Sequence, residues 1–305
     1  MRFLPDQDGR LGYGRWVPAV LITGASTGIG RATALRLAAA GWEVLAGVRD
    51  PAAGERLMEE SGARKGPARG AIVPLTLDVT DAGQIAAAAA LVAEGANGQT
   101  GRGRLDALVN NAGIGVGGPL ELLAMADLRM QLEVNVVGQV AITQALLPAL
   151  RRAHGRIVFV SSVGGRVALP FSAPYGASKH AVEAIGDALR GELHSSGIKV
   201  SLVEPGSVKT PIWSKALAET DALEIPPELE SEYGHVRGSF SNVLSETESR
   251  GVPPERVAAT IERALTRRRP RSRYLVGRDA HGMVLARALL PSGVFDAVIR
   301  RALGL

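Results

Sequence analysis

Pro18-Ala-Val-Leu-Ile-Thr23 is an unbroken apolar run that stops at Gly24. Short runs without alternation suit strands buried on both faces of a parallel sheet. Arg31 to Ala40 then has helical composition and ends at Gly41, well placed as the glycine after a helix. Glu43 to Val48 is apolar enough for a second strand, and Asp50-Pro51 reads as the turn after it. Strand, helix and strand in this order imply a parallel pair joined by a crossover helix.

The alternation continues down the chain. Ala71 to Leu77 reads as a third strand, and Thr80 to Ala93 as an Ala-rich helix capped by Thr80. Glu94 to Gly103 is a Gly-rich loop, and Leu105 to Val109 a fourth strand. A long helical region ends near Arg152, and Arg156 to Val160 is a fifth strand. A further helix runs to about Ser195, and Lys199 to Val203 is a sixth strand. The last pair is a helix over Pro254 to Thr266 and a strand over Arg273 to Val276. No repeat and no linker divides the chain. The pattern predicts an α/β fold of one domain over 17–305, a doubly wound seven-stranded parallel sheet with helices on both faces. Residues 1–16 read as an N-terminal extension. Residues 211–251 break the alternation and read as an insertion that closes over a site. Residues 279–305 read as a tail of one or two amphipathic helices.

Composition narrows the chemistry. At 305 residues the chain can bury a substantial core. It has no cysteine, which excludes disulfides, thiol chemistry and cysteine metal sites. Its five histidines, His154, His180, His194, His235 and His281, are scattered, and no metal site is expected. Net charge is +5, owed mostly to arginine, with one dense run from Arg267 to Arg273. No aromatic residue interleaves with that run, so it reads as a solvated turn and not as a nucleic-acid surface. No apolar stretch reaches the roughly 18 residues that span a bilayer. A cytoplasmic protein is expected.

Two motifs carry chemistry. Thr23-Gly-Ala-Ser-Thr-Gly-Ile-Gly30 joins the first strand to the first helix, with glycines at 24, 28 and 30. Glycine lets the backbone turn sharply and approach a pyrophosphate, while the helix start offers free N–H groups to phosphate. The second motif is Tyr175-Gly-Ala-Ser-Lys179. On a helix, residues four apart lie one above the other. A phenol is a poor acid or base at neutral pH, but a nearby ammonium favours the phenolate. Such a pair can act as a general acid/base near neutrality.

These motifs, with Asn110-Asn-Ala-Gly113 after the fourth strand, Ser162 after the fifth and Pro205-Gly206 after the sixth, resemble the short-chain dehydrogenase/reductase family. The resemblance covers about residues 17–215 and is nearest the branch with retinol, hydroxysteroid and hydroxybutyrate dehydrogenases. It implies a Rossmann-type domain. It implies that Gly24, Ser26, Thr27, Gly28, Ile29 and Gly30 hold the pyrophosphate end of a nicotinamide dinucleotide. By the same resemblance Asp78 and Val79 meet the adenine, and Asn110, Ala112 and Gly113 border the adenosine and the floor of the site. Pro205, Gly206, Val208 and Thr210 are expected at the nicotinamide end. Ser162, Tyr175 and Lys179, with Asn135 supporting a water-linked relay, are the implied catalytic set, and Tyr175 and Lys179 also touch the cofactor.

At the end of the second strand an acid would accept from the ribose hydroxyls and repel a 2′-phosphate. Here Val48 stands in that place and Arg49 follows. A guanidinium suits a phosphate, so NADP is favoured over NAD. The competing reading is that Arg49 only pairs with Asp50 or Glu55.

Plausible lining positions for the substrate are Gly115, Val116, Val163, Leu169, Phe171, Ile212 and Trp213, most of them apolar. This points to an apolar carbonyl or secondary alcohol. The resemblance also implies a homodimer or homotetramer built on the two long helices. The tail and the basic turn offer a lesser possibility of contact with a membrane surface. Two other functions exist on the same fold: intact Ser162, Tyr175 and Lys179 argue against a nucleotide sensor or scaffold without catalysis, and the small region after the sixth strand argues against a dehydratase or epimerase that uses the cofactor transiently.

Overall fold

The computed structural model describes residues 17–62, 70–95, 103–212, 225–234 and 249–303. Seven strands form one parallel sheet: β1 (Ala19–Ile22), β2 (Glu43–Val48), β3 (Ile72–Thr76), β4 (Ala107–Asn110), β5 (Arg156–Val160), β6 (Lys199–Pro205) and β7 (Arg273–Val276). Their order across the sheet is β3-β2-β1-β4-β5-β6-β7. Strand order therefore reverses between β1 and β4. At such a point the connections leave to opposite faces and open a crevice at the carboxyl ends of the strands.

The five inner strands are buried at nearly every position because both faces are covered, while the edge strands β3 and β7 are only partly buried. Val20 and Ile22 point into one core with Leu37, Leu57, Val257 and Ile261. Leu21 points into the other with Ile142, Leu146, Leu150, Phe159 and Val182. The first layer holds helices α1 (Gly28–Ala39), α2 (Pro51–Glu60) and α7 (Pro254–Thr266). The second holds α3 (Ala82–Glu94), α5 (Gly138–Ala153) and α6 (Ala173–Glu192). Each fully buried Leu, Ile or Phe contributes roughly 1.5–3 kcal/mol by leaving water. Helix α4 (Met125–Leu132) runs into α5 through a π-helical turn, Glu133–Val137. The chain ends with α8 (Arg278–Leu289) and α9 (Ser292–Leu303).

The periodicity locates all seven strands and misplaces some local boundaries. Asp50-Pro51 does not form a simple turn: Asp50 caps α2 by accepting from Ala52 N at 3.0 Å, and Pro51 opens the helix. Proline suits a first turn because its missing N–H has no intrahelical partner there. Asp81, not Thr80, caps α3, its Oδ1 accepting from Gly83 N and Gln84 N. Thr80 instead donates to Asp78 Oδ1. Strand β6 runs on through Pro205. The 1–16 extension, Trp213 and most of the 211–251 insertion lie outside the described residues.

Candidate active site

The turn from β1 into α1 is shaped by the absence of side chains. Gly24 and Gly28 have φ of 64° and 52°, the left-handed region that glycine enters without strain. A Cβ on Gly30 would stand 2.1 Å from the Gly24 carbonyl oxygen, so no other residue fits. A Cβ on Gly28 would meet Thr210 Cγ2 at 2.9 Å, which puts the segment after β6 directly against this turn. Thr27 precedes α1 and its side chain does not cap it. The first N–H groups of α1 are thus left to an outside acceptor, and the turn fits the phosphates of a dinucleotide.

The opposite wall is the segment after β4, and it is held by side chains. Gln131, Asn135, Gln139 and Thr143 recur every four residues along α4, the π turn and α5, and each is buried. Gln131 Oε1 accepts from Val116 N at 2.7 Å and its Nε2 donates to Ile114 O at 2.9 Å. Asn135 accepts from Ile114 N at 2.8 Å and donates to Ile114 O at 3.0 Å. Gln139 donates to Ala112 O at 2.9 Å, and Thr143 accepts from Asn110 Nδ2 at 2.8 Å. The match is metric. Four helical residues rise about 6 Å, close to the length of two extended residues, about 6.5 Å. Asn111 ties this wall to the first turn, donating to the carbonyls of Thr23 and Gly24, both at 3.0 Å.

The third part sits at the carboxyl end of β5. Ser162 is buried, caps a short 3₁₀ turn (Val163–Gly165), and accepts from Gly164 N at 3.0 Å. Its side chain is hydrogen-bonded to the Tyr175 phenol. Tyr175 and Lys179 lie on the first half of α6 with the lysine Nζ 5.6 Å from the ring centre. Lys179 is 3% exposed and donates to Val160 O at 2.9 Å. Burial pushes the phenol up, and the bond to Ser162 opposes it. Burial pulls Lys179 down to about 8, and the charge of Glu183 opposes that fall. Burial is the largest influence on the phenol in this state. Ser178, between them, accepts from Asn135 Nδ2 at 3.1 Å and donates to Tyr175 O at 2.7 Å, joining this helix to the second wall.

The remaining expected residues divide. Arg49 is exposed and makes no ion pair among the described residues; Asp50 pairs with Arg56 instead, at 3.4 Å. Asp78 is bound locally, through Thr80 and through Gln84 Oε1 on its own N–H. Buried Val79 packs where a side chain on Gly138 would stand. Asn110 turns its amide into α5, and Gly113 lies below Asn135. Pro205 ends β6, Val208 is bridged to Val252, and Thr210 stands against Gly28 of the first turn. Gly206 has another reason to be glycine: a Cβ there would stand 2.3 Å from Asp279 Oδ2, which accepts from Ser207 N. The sequence alone gives no role to Gln131 and Gln139, nor to Asn111 and Ser178 inside their motifs. The four-residue spacing of buried-type polar residues in an apolar helix was the available signal for the first two.

A parallel sheet in this order, with a glycine turn and a side-chain-held wall at its reversal point, defines a dinucleotide-binding protein. The sequence matches the short chain dehydrogenase family over residues 18–221, and the chain belongs to that family. It is 35% identical over 293 residues to mouse (Mus musculus) retinol dehydrogenase 5, covering 92% of this chain and 87% of the relative. It is 34% identical to the NADPH-dependent 3-dehydrocapnine reductase of Ornithobacterium rhinotracheale, covering 93% and 96%. A solved short chain dehydrogenase/reductase from Burkholderia phymatum, in complex with NAD, superposes with a TM-score of 0.74 at 26% identity, covering 93% and 96%. The protein is an NAD(P)-dependent oxidoreductase of the retinol and hydroxysteroid dehydrogenase-like branch.

Proposed function

We propose that this protein is an NADP(H)-dependent oxidoreductase acting on the carbonyl or secondary alcohol of an apolar small molecule, with Tyr175 as general acid/base. The observation that carries the reading is the convergence of Ser162, Tyr175 and buried Lys179 at the end of β5, beside the crevice. When bound, the nicotinamide supplies or takes the hydride. The chain does the rest. Ser162 orients the substrate oxygen and the phenol together. In the reductive direction the Tyr175 hydroxyl gives its proton to that oxygen; in the oxidative direction the phenolate takes one. Lys179, charged below about pH 8, stabilises the phenolate as it forms. Asn135 holds Ile114 and Ser178 in place and so fixes α6, which carries Tyr175 and Lys179, against the wall after β4.

The cofactor preference rests on Arg49, which is exposed at the end of β2, has no carboxylate partner among the described residues and suits a 2′-phosphate. The NADPH-dependent relative is consistent with this. The substrate class rests on Val116 and Val163, apolar and nearly buried beside the site, and on the apolar substrate named for the retinol dehydrogenase relative. Gly118 N donates to Phe171 O at 2.8 Å and draws the loops after β4 and β5 together there. The test is Tyr175→Phe. It should keep NADPH binding by fluorescence titration and lose roughly 10³-fold in turnover across a panel of ketones and alcohols followed at 340 nm. Turnover near wild type in that variant overturns the reading.

A further inference from the structure

Polar groups that this chemistry leaves unused gather one helical turn beyond Lys179. Glu183 follows on the same face of α6, its side chain 8% exposed. Glu204 comes from β6 and is fully buried. Arg273 of β7 donates from Nε to Glu183 Oε2 at 3.0 Å and stands 3.0 Å from Glu204 Oε1. Arg166, after the 3₁₀ turn, donates to Glu204 Oε1 at 3.2 Å. The other arm of Arg273 is taken by Asp187. Beyond Glu204 a cavity of about 400 Å³ opens, with Arg263, Arg271 and His281 on its walls. Gly165 makes the approach possible. The point where its side chain would begin is 2.9 Å from Lys179 O and 3.0 Å from Glu183 Cγ.

Two carboxylates that share one guanidinium nitrogen repel each other when both are charged. Each also keeps a buried oxygen without a hydrogen-bond donor among the described residues, Oε1 of Glu183 and Oε2 of Glu204. One proton held between the carboxyls resolves both facts. We propose that Glu183 is a positioning residue for Lys179: its negative charge keeps the ammonium on a buried lysine, and Glu204 carries the proton that lets Glu183 remain charged. The energetics agree in direction. Burial and then Glu183 push Glu204 up to about 7, while Arg166 pulls it back. The role takes its meaning from the reading of Tyr175 and Lys179 above, but the charge on Lys179 is measurable without turnover.

The experiment is an NMR titration of the full chain with lysine labelled by ¹³C at the ε carbon, the Lys179 signal being identified by its loss in Lys179→Arg. Glu183→Gln should lower the Lys179 midpoint by about one pH unit, a tenfold loss of proton affinity. Glu204→Gln should keep the midpoint within about 0.3 unit. It should also erase the small inflection that, on this proposal, ionising Glu204 imposes on the wild-type signal near pH 7. An unchanged midpoint in folded Glu183→Gln overturns the proposal. Should that variant fail to fold, absence of the inflection in the wild type overturns it equally. Failure of the catalytic reading shows elsewhere, as turnover that survives Tyr175→Phe.

Discussion

The two walls of the crevice solve the same problem with opposite means. The turn from β1 to α1 is made of backbone: glycines at 24, 28 and 30 approach so closely that a Cβ has no room. The segment from Asn110 to Val116 is made rigid by side chains, four polar groups reaching across from one helical face. A backbone wall tolerates no added atom. A side-chain wall tolerates loss of one rung at the price of an unsatisfied pair. The first should therefore fail abruptly and the second by increments.

The largest effect is expected at the first wall. Gly30→Ala puts a methyl 2.1 Å from the Gly24 carbonyl oxygen and 2.6 Å from Asn111 Nδ2, so the turn must open. Dinucleotide affinity should fall at least about hundredfold, roughly 2.7 kcal/mol, by fluorescence titration. A tenfold change or less would show that the backbone wall yields and that the contrast is false. The middle effect belongs to the second wall. Gln131→Ala leaves Val116 N without its acceptor and weakens the hold on Ile114 O, so unfolding in urea should lose about 2 kcal/mol. Affinity for the dinucleotide should change less than threefold, because Asn135, Gln139 and Thr143 keep their bonds. Affinity loss as large as that of Gly30→Ala would mean that the rungs act as one unit. The smallest effect lies at the rim of the first wall. Arg49→Ala should raise the Michaelis constant for NADPH about tenfold, some 1.4 kcal/mol, and leave that for NADH nearly unchanged. Equal effects on both would remove Arg49 from cofactor choice.

The same contrast governs what could be read from the chain. The five inner strands are buried on both faces and leave apolar runs, whereas the edge strands β3 and β7 are only partly buried, and Arg273 to Val276 is legible chiefly from its place after a helix in the alternation. Glycine spacing made the first wall legible because steric necessity leaves few substitutes. Gln131 and Gln139 were not legible singly: an amide in a helix has no distinctive neighbour in sequence, and its partner is backbone 15 to 27 residues away. Caps were misjudged where two candidates adjoin, as at Thr80 and Asp81, since the choice is settled by where the chain turns. Gly206 carries a second constraint that its motif does not announce. Its motif points to the cofactor, and Asp279, 73 positions later, also leaves no space for a side chain.

The π turn at Glu133–Val137 has a geometrical consequence. A feature repeated every four residues gains about 40° per repeat on an ordinary helix of 3.6 residues per turn. After three repeats it would have slid a third of the way around the cylinder, and the last rung would miss a straight segment. A wider coil in the middle retards that slide. It acts as a phase correction, allowing a helix to track an extended chain for longer than the pitch of either would permit.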